Sequence, residues 1–147
     1  MAAANALRRG SCLCQSVKFS ITGTPARHIQ CNCLNCQKSS GSAFLTNILF
    51  KRDQYKVESG AEHIKVFKDT STDSGGTLER SFCSNCGSPL HIRNVSNPKM
   101  SGNIVVCGGT VDENYKNFKP QSELFPHRRH AWVPEVQKPP KREGSKM

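Results

Sequence analysis

Val17, Phe19 and Ile21 alternate with Lys18 and Ser20, the period of a strand with one buried face, and Gly23 and Pro25 close the run. Ala43 to Phe50 is almost continuously apolar and carries no helical spacing, which predicts a strand buried on both faces. Ile64 with Val66, Leu90 with Ile92, and Ile104 to Cys107 before Gly108-Gly109 mark three further strands. Helical signals are few. The best is a short turn from Leu34 to Ser40, stopped by Gly41, where a left-handed cap fits. No repeat occurs at the periods of solenoids or propellers, so the pattern predicts a mainly β single domain with few short helices. Residues 1–9 carry no pattern and are expected to be a flexible N-terminus; 10–136 form the domain, and 137–147 a Lys/Pro-rich, basic, disordered tail.

With 147 residues the chain has room for one core, but 35% hydrophobic residues and a mean hydropathy of -0.55 make that core lean. Metal, or pairing into a homo-oligomer, is the expected support. No apolar run approaches the length that crosses a bilayer, and the opening Met1-Ala-Ala-Ala-Asn-Ala-Leu-Arg-Arg lacks the apolar middle of a secretory signal. A cytoplasmic protein with no membrane partner is expected. In that compartment eight cysteines stay reduced and read as metal ligands or reactive thiols, not as a disulfide framework. The net charge of +10 invites a nucleic-acid partner. Its distribution argues against one: six basic residues face two acidic ones after His127, and Pro139 and Pro140 oppose helix there, so a solvated tail is the favoured reading.

Seven of the eight cysteines fall into three groups, Cys12-x-Cys14, Cys31-x-Cys33-x-x-Cys36 and Cys83-x-x-Cys86. Zinc takes four tetrahedral ligands at ~2.3 Å for sulfur, and a close pair lets one turn of backbone present two thiolates to one ion. Two pairs make a closed site; a trio leaves one position free. Cys83-Ser-Asn-Cys86-Gly87 looks like a zinc-ribbon knuckle, which favours pairing it with Cys12 and Cys14, though other partitions stay open on spacing alone. Cys107 ends an apolar strand without a neighbour at ligand spacing and reads as a small buried hydrophobe. His28 stays open as a fourth ligand to the trio or as an ordinary histidine.

The motifs Gly10-Ser-Cys12-Leu-Cys14 with Val17-Lys-Phe19, Cys31-Asn-Cys33-Leu-Asn-Cys36-Gln-Lys-Ser-Ser-Gly41-Ser-Ala-Phe44, and Arg80-Ser-Phe82-Cys83-Ser-Asn-Cys86-Gly87-Ser-Pro89-Leu90 resemble the glutathione-dependent formaldehyde-activating enzyme family, which includes the centromere protein V-like proteins. Gly109-Thr110-Val-Asp112, Phe118-Lys-Pro120, Glu123-Leu-Phe125 and Trp132 resemble the end of its domain. The resemblance implies several coiled antiparallel β-sheets stapled by zinc (Mss-four-like). It also implies a structural zinc on Cys12, Cys14, Cys83 and Cys86, and a second zinc on Cys31, Cys33 and Cys36. Gln15 stands where the family usually has glycine, and Asn32 where it often has histidine.

The activity implied is a carbon-sulfur lyase reaction run in the joining direction, glutathione with formaldehyde or a related small aldehyde or adduct giving S-hydroxymethylglutathione. Cys31, Cys33 and Cys36 are then the reactive centre, with the glutathione sulfur as fourth ligand. Lys38, Arg80 and Arg93 are candidate contacts for the carboxylates of glutathione, although a solvated charge is the favoured reading of each. A nucleophilic Cys36 at the start of a short helix is the chemical alternative, but no His and Asp partners accompany it. Two non-enzymatic alternatives are an interaction module of the centromere protein V type and a carrier of glutathione adducts.

Overall fold

Val17, Phe19 and Ile21 are at most 1% exposed, and the strand they define is the middle of a small sheet. The computed structural model describes residues 6–112 and 118–138. Its small sheet joins β1 (Leu7–Ser11), β2 (Lys18–Thr22) and β5 (Tyr55–Ser59) in the order β1-β2-β5, both pairings antiparallel. β1 opens at Leu7, inside the stretch expected to be flexible, because its ladder with β2 runs from Leu7 opposite Thr22 to Ser11 opposite Lys18. At Gly10 the ring of Phe19 lies over the backbone, and a Cβ there would stand 2.1 Å from Phe19 Cζ.

The large sheet comprises β3 (Arg27–Cys31), β4 (Leu45–Lys51), β6 (Ile64–Asp69), β7 (Leu78–Cys83), β8 (Pro89–Asn94), β9 (Asn103–Cys107) and β10 (Ser122–Leu124). Its order is β10-β3-β4-β9-β8-β7-β6. All its pairings are antiparallel except β10 with β3, which is parallel and departs from the all-antiparallel expectation. The single α-helix among the described residues, α1 (Leu34–Ser40), stands where the sequence places it and ends on Gly41 at φ 62, a left-handed cap.

Alternation along β4 and β9 divides the interior in two. Ile48, Phe50, Ile104 and Val106 face the small sheet and join Val17, Phe19, Ile21, Leu90 and Cys83 in the main core. Leu45 and Cys107 point to the other face, where they pack with Ile92, Cys31, Cys33 and Cys36. The near-continuous apolar run therefore serves two cores, as a strand buried on both sides must. β6 is one of the two edge strands, and Val66 and Phe67 on it remain 54% and 60% exposed. No helix among the described residues is long and apolar enough to cross a membrane.

Candidate metal centres and the cavity beside the trio

The first centre forms where β1 and β7 end. Cys12 follows β1, Cys14 lies in the turn beyond it, Cys83 closes β7, and Cys86 lies in the next turn, where Gly87 at φ 77 donates its N–H to Cys83 O at 2.7 Å. All four Sγ atoms lie within 4.8 Å of one another. Cys12 to Cys14 is 3.6 Å and Cys14 to Cys83 is 3.9 Å. Tetrahedral sulfurs ~2.3 Å from a zinc ion are about 3.8 Å apart, so the set fits that ion. Donors surround it: Val17 N–H reaches Cys12 Sγ at 3.2 Å and Asn85 Nδ2 reaches Cys14 Sγ at 3.2 Å. Hydrogen bonds from Ser88 hold Cys86 down at about 5, and those from Ser16 and Asn85 hold Cys14 below its ordinary value. Burial lifts Cys83 to about 11.

Gln15, in the turn after Cys14, has φ 65. Glycine adopts that left-handed backbone without steric strain, which agrees with the glycine that the resemblance implies at this position. Gln15 Nε2 donates to Ser11 Oγ at 3.1 Å.

The second centre is built by the end of β3 and the start of α1. Cys31 is the last residue of β3, Cys33 is the N-cap of α1, and Cys36 is in its first turn, donating its N–H to Cys33 Sγ at 3.3 Å. The three are 4%, 6% and 4% exposed, and their sulfurs also lie within 4.8 Å of one another. Hydrogen bonds from the Cys31 and Cys36 thiols hold Cys33 at about 2, helped by the Cys36 N–H and by Arg80, and the same sharing pushes Cys31 up. Among the described residues no further cysteine, histidine or carboxylate joins this set.

His28 and Cys107 are both accounted for elsewhere. His28 is out of phase with Cys31 on β3, and its ring packs near Phe118, centroids 5.1 Å apart. Cys107 lies in the apolar cluster against the trio, 2% exposed, its thiol pushed up to about 12 by burial. Asn32, between Cys31 and Cys33, is fully buried on the far side: its Nδ2 donates to Glu123 Oε1 at 2.7 Å, and Gln30 Nε2 donates to its Oδ1 at 3.3 Å. Arg129 clamps the same Glu123 with two contacts of 2.7 Å. The departure from histidine therefore alters the tie between β3 and the C-terminal segment and leaves the sulfur side intact.

On the sulfur side the trio lines a cavity of about 450 Å³. Its floor is one cross-strand row: Arg27 opposite Leu49, Leu49 opposite Val105, Val105 opposite Ile92, and Ile92 opposite Arg80. Three branched apolar side chains thus separate two arginines. Arg27 is exposed at one end. Arg80, which read as a solvated charge, is 8% exposed at the other, its Nε donating to Asp69 Oδ2 at 2.7 Å and its Nη1 3.9 Å from Cys36 Sγ. Lys38 is exposed on α1 and Arg93 pairs with Glu79 at 3.6 Å; neither lines the cavity. Of the three cationic candidates the structure brings only Arg80 to the trio. Arg27 escaped the sequence reading, although its spacing of four from Cys31 puts it in phase on one strand face. Asn47 also lines the cavity, and its place between Ile29 and Cys107 follows from strand register alone.

The glutathione-dependent formaldehyde-activating enzyme family profile matches residues 7–128. A Halomonas elongata protein bearing that enzyme's name provisionally is 32% identical over 129 residues, covering 86% of this chain and 80% of the relative. A Podospora anserina protein with the same provisional name is 27% identical over 84 residues, 56% of this chain and 37% of the relative's length. A crystal structure of a Rhodobacter sphaeroides protein shares the fold at a TM-score of 0.59 and 16% identity, covering 78% of this chain and 98% of that one. By the extent of that profile match and the Halomonas relative, the chain belongs to the glutathione-dependent formaldehyde-activating enzyme family.

Proposed function

We propose that this chain joins the thiol of glutathione to formaldehyde or a related small aldehyde at Cys31, Cys33 and Cys36, a carbon-sulfur lyase reaction run in the joining direction, while Cys12, Cys14, Cys83 and Cys86 hold a structural zinc. The observation that carries the proposal is the contrast between a set of four mutually adjacent sulfurs and a set of three that faces a cavity. Zinc held by three thiolates keeps a net negative charge, so the chemistry it supplies there is to keep an incoming thiol as thiolate rather than to polarise a carbonyl.

The chain's own residues do the rest. Leu49, Val105 and Ile92 keep the floor beside the sulfurs apolar, which limits competing hydration of the aldehyde. Arg27 presents an exposed cation at the mouth, where a carboxylate of glutathione gains charge-assisted hydrogen bonds. Holding the sulfur and carbonyl carbon together replaces a bimolecular encounter by an intramolecular one. Cys33→Ser is expected to lower the metal content from two zinc ions per chain to one and to abolish glutathione binding measured by calorimetry; unchanged glutathione binding would refute the assignment. Comparing the rate of adduct formation with a protein-free control separates a catalyst from an adduct carrier.

A further inference from the structure

Two residues that line the cavity each carry a buried polar atom with no partner among the described residues, Nη2 of Arg80 and Oδ1 of Asn47. The rest of the Arg80 guanidinium is engaged. Nε donates to Asp69, and Nη1 lies 3.5 Å from Ser39 Oγ and 3.9 Å from Cys36 Sγ. Asp69 in turn accepts from Asn35 Nδ2 at 3.1 and 3.2 Å, which holds the fork in one orientation. A dry donor with no acceptor is destabilising, and a fold that fixes one beside a reactive centre has left it for a ligand oxygen.

We infer that Arg80 Nη2 is the donor that receives the aldehyde oxygen as the carbon-sulfur bond forms, an inference that rests on the function proposed above. Position selects this oxygen over a carboxylate of glutathione. Arg80 lies against Cys36 itself, so the ligand atoms within its reach are those bonded close to a sulfur held at the trio, and the carboxylates of glutathione are many bonds away. The charge of Arg80 is also already balanced by Asp69, whereas exposed Arg27 at the far end of the row is free of that constraint. Asn47 Oδ1 is an acceptor and offers nothing to an oxyanion.

In the step so described the thiolate sulfur bonds to the carbonyl carbon while the carbonyl π pair moves onto oxygen. Nη2 hydrogen-bonds the resulting alkoxide, and water supplies the proton that completes the hydroxyl. The thiol's own proton has passed to water beforehand, so the sum is thiol plus aldehyde, with no change of oxidation state. Donors preplaced for a developing oxyanion act mainly on the maximal rate, by about 100- to 1,000-fold.

The test uses the zinc-loaded full chain carrying Arg80→Lys, which keeps a charge opposite Asp69 but has no second arm, or the double change Asp69→Asn with Arg80→Gln, which removes both members of the buried pair. Glutathione affinity is read by calorimetry, and the maximal rate by NMR exchange of ¹³C-formaldehyde into the adduct at saturating glutathione. Both variants are expected to bind glutathione within about twofold of the wild type while the rate falls toward the protein-free value, by up to about 100- to 1,000-fold. A parallel loss of affinity would make Arg80 a carboxylate clamp and overturn the inference; an unchanged rate would make it structural and do the same. Thermal unfolding and zinc content identify a variant that misfolds, and the other then decides. Failure of the wild type to bind glutathione or to accelerate the reaction sinks the underlying function instead, and shows without any variant.

Discussion

The two sulfur sets use the same raw material and differ in their surroundings. Cys12, Cys14, Cys83 and Cys86 sit where two strands run out into turns, with side-chain and main-chain donors directed at the sulfurs and Cys14 exposed. Cys31, Cys33 and Cys36 are all buried, with a helix cap on one side, Arg80 on another and a cavity in front. The first set tethers segments far apart in sequence, 12–14 to 83–86, so any ion it holds closes a long loop. The second spans six residues of one chain segment and adds little to chain closure. On the proposed function, stability and chemistry fall to different cysteines.

The largest effect expected from this contrast is on folding. Cys83→Ser breaks a centre that ties β1 to β7 and buries a hydroxyl in the main core, and it is expected to cost more than about 4 kcal/mol. Cys33→Ser is expected to cost much less while removing thiol binding. Denaturant unfolding of both variants with zinc quantified per chain reads the difference, and equal losses would dissolve the proposed division of labour.

Much of the fold and of the cysteine grouping was legible because those signals are local: the three groups, α1 with its Gly41 cap, and β2, β4, β6, β8 and β9 all announce themselves within a few residues. The elements that escaped, β1, β3, β5, β7 and β10, carry polar or mixed patterns, as in Arg27–Cys31 and Leu78–Cys83, and β3, β5 and β10 also pair with strands distant in sequence. Arg80 shows the same limit at a site. Its motif was visible, but its burial depends on Asp69 from the neighbouring strand and on a cavity floor assembled from β3, β4, β9, β8 and β7.

Acid is expected to act on the face of the large sheet toward the small sheet. His91 meets Tyr55 there, Nδ1 3.2 Å from the hydroxyl, and burial followed by the Arg93 charge lowers its pKa to about 4. Between pH 6.5 and about 4 the unfolded chain binds a proton that the folded one does not, so stability falls as pH falls through that window. The single group accounts for about 3 kcal/mol at most. His91→Gln is expected to flatten the pH dependence of the denaturant midpoint relative to wild type over this window, with zinc content followed in parallel. An equally steep decline in the variant would assign acid sensitivity to the sulfur centres instead.

Each centre also carries one departure from its family, and these give the smaller effects. Beside the trio, Asn32→Ala strands Glu123 and Gln30 in a buried network and is expected to cost about 1–3 kcal/mol. Because Asn32 points away from the cavity, glutathione affinity should hold; a loss of affinity without a loss of stability would show that the network positions the sulfurs.

Beside the other centre, Gln15→Gly should act in the opposite direction. The residue holds φ 65, which a side chain with a Cβ adopts only under strain, and glycine relieves it while adding freedom to the unfolded chain. The loss of the Nε2 contact to Ser11 at 3.1 Å offsets part of the gain, because Ser11 still donates to Asp112 at 2.7 Å and keeps its place without it. A net stabilisation of about 0.5–1 kcal/mol is expected in urea unfolding, with thiol binding at the trio unchanged. Destabilisation would mean that the glutamine's contact outweighs the strain and that this turn has been rebuilt around the larger residue.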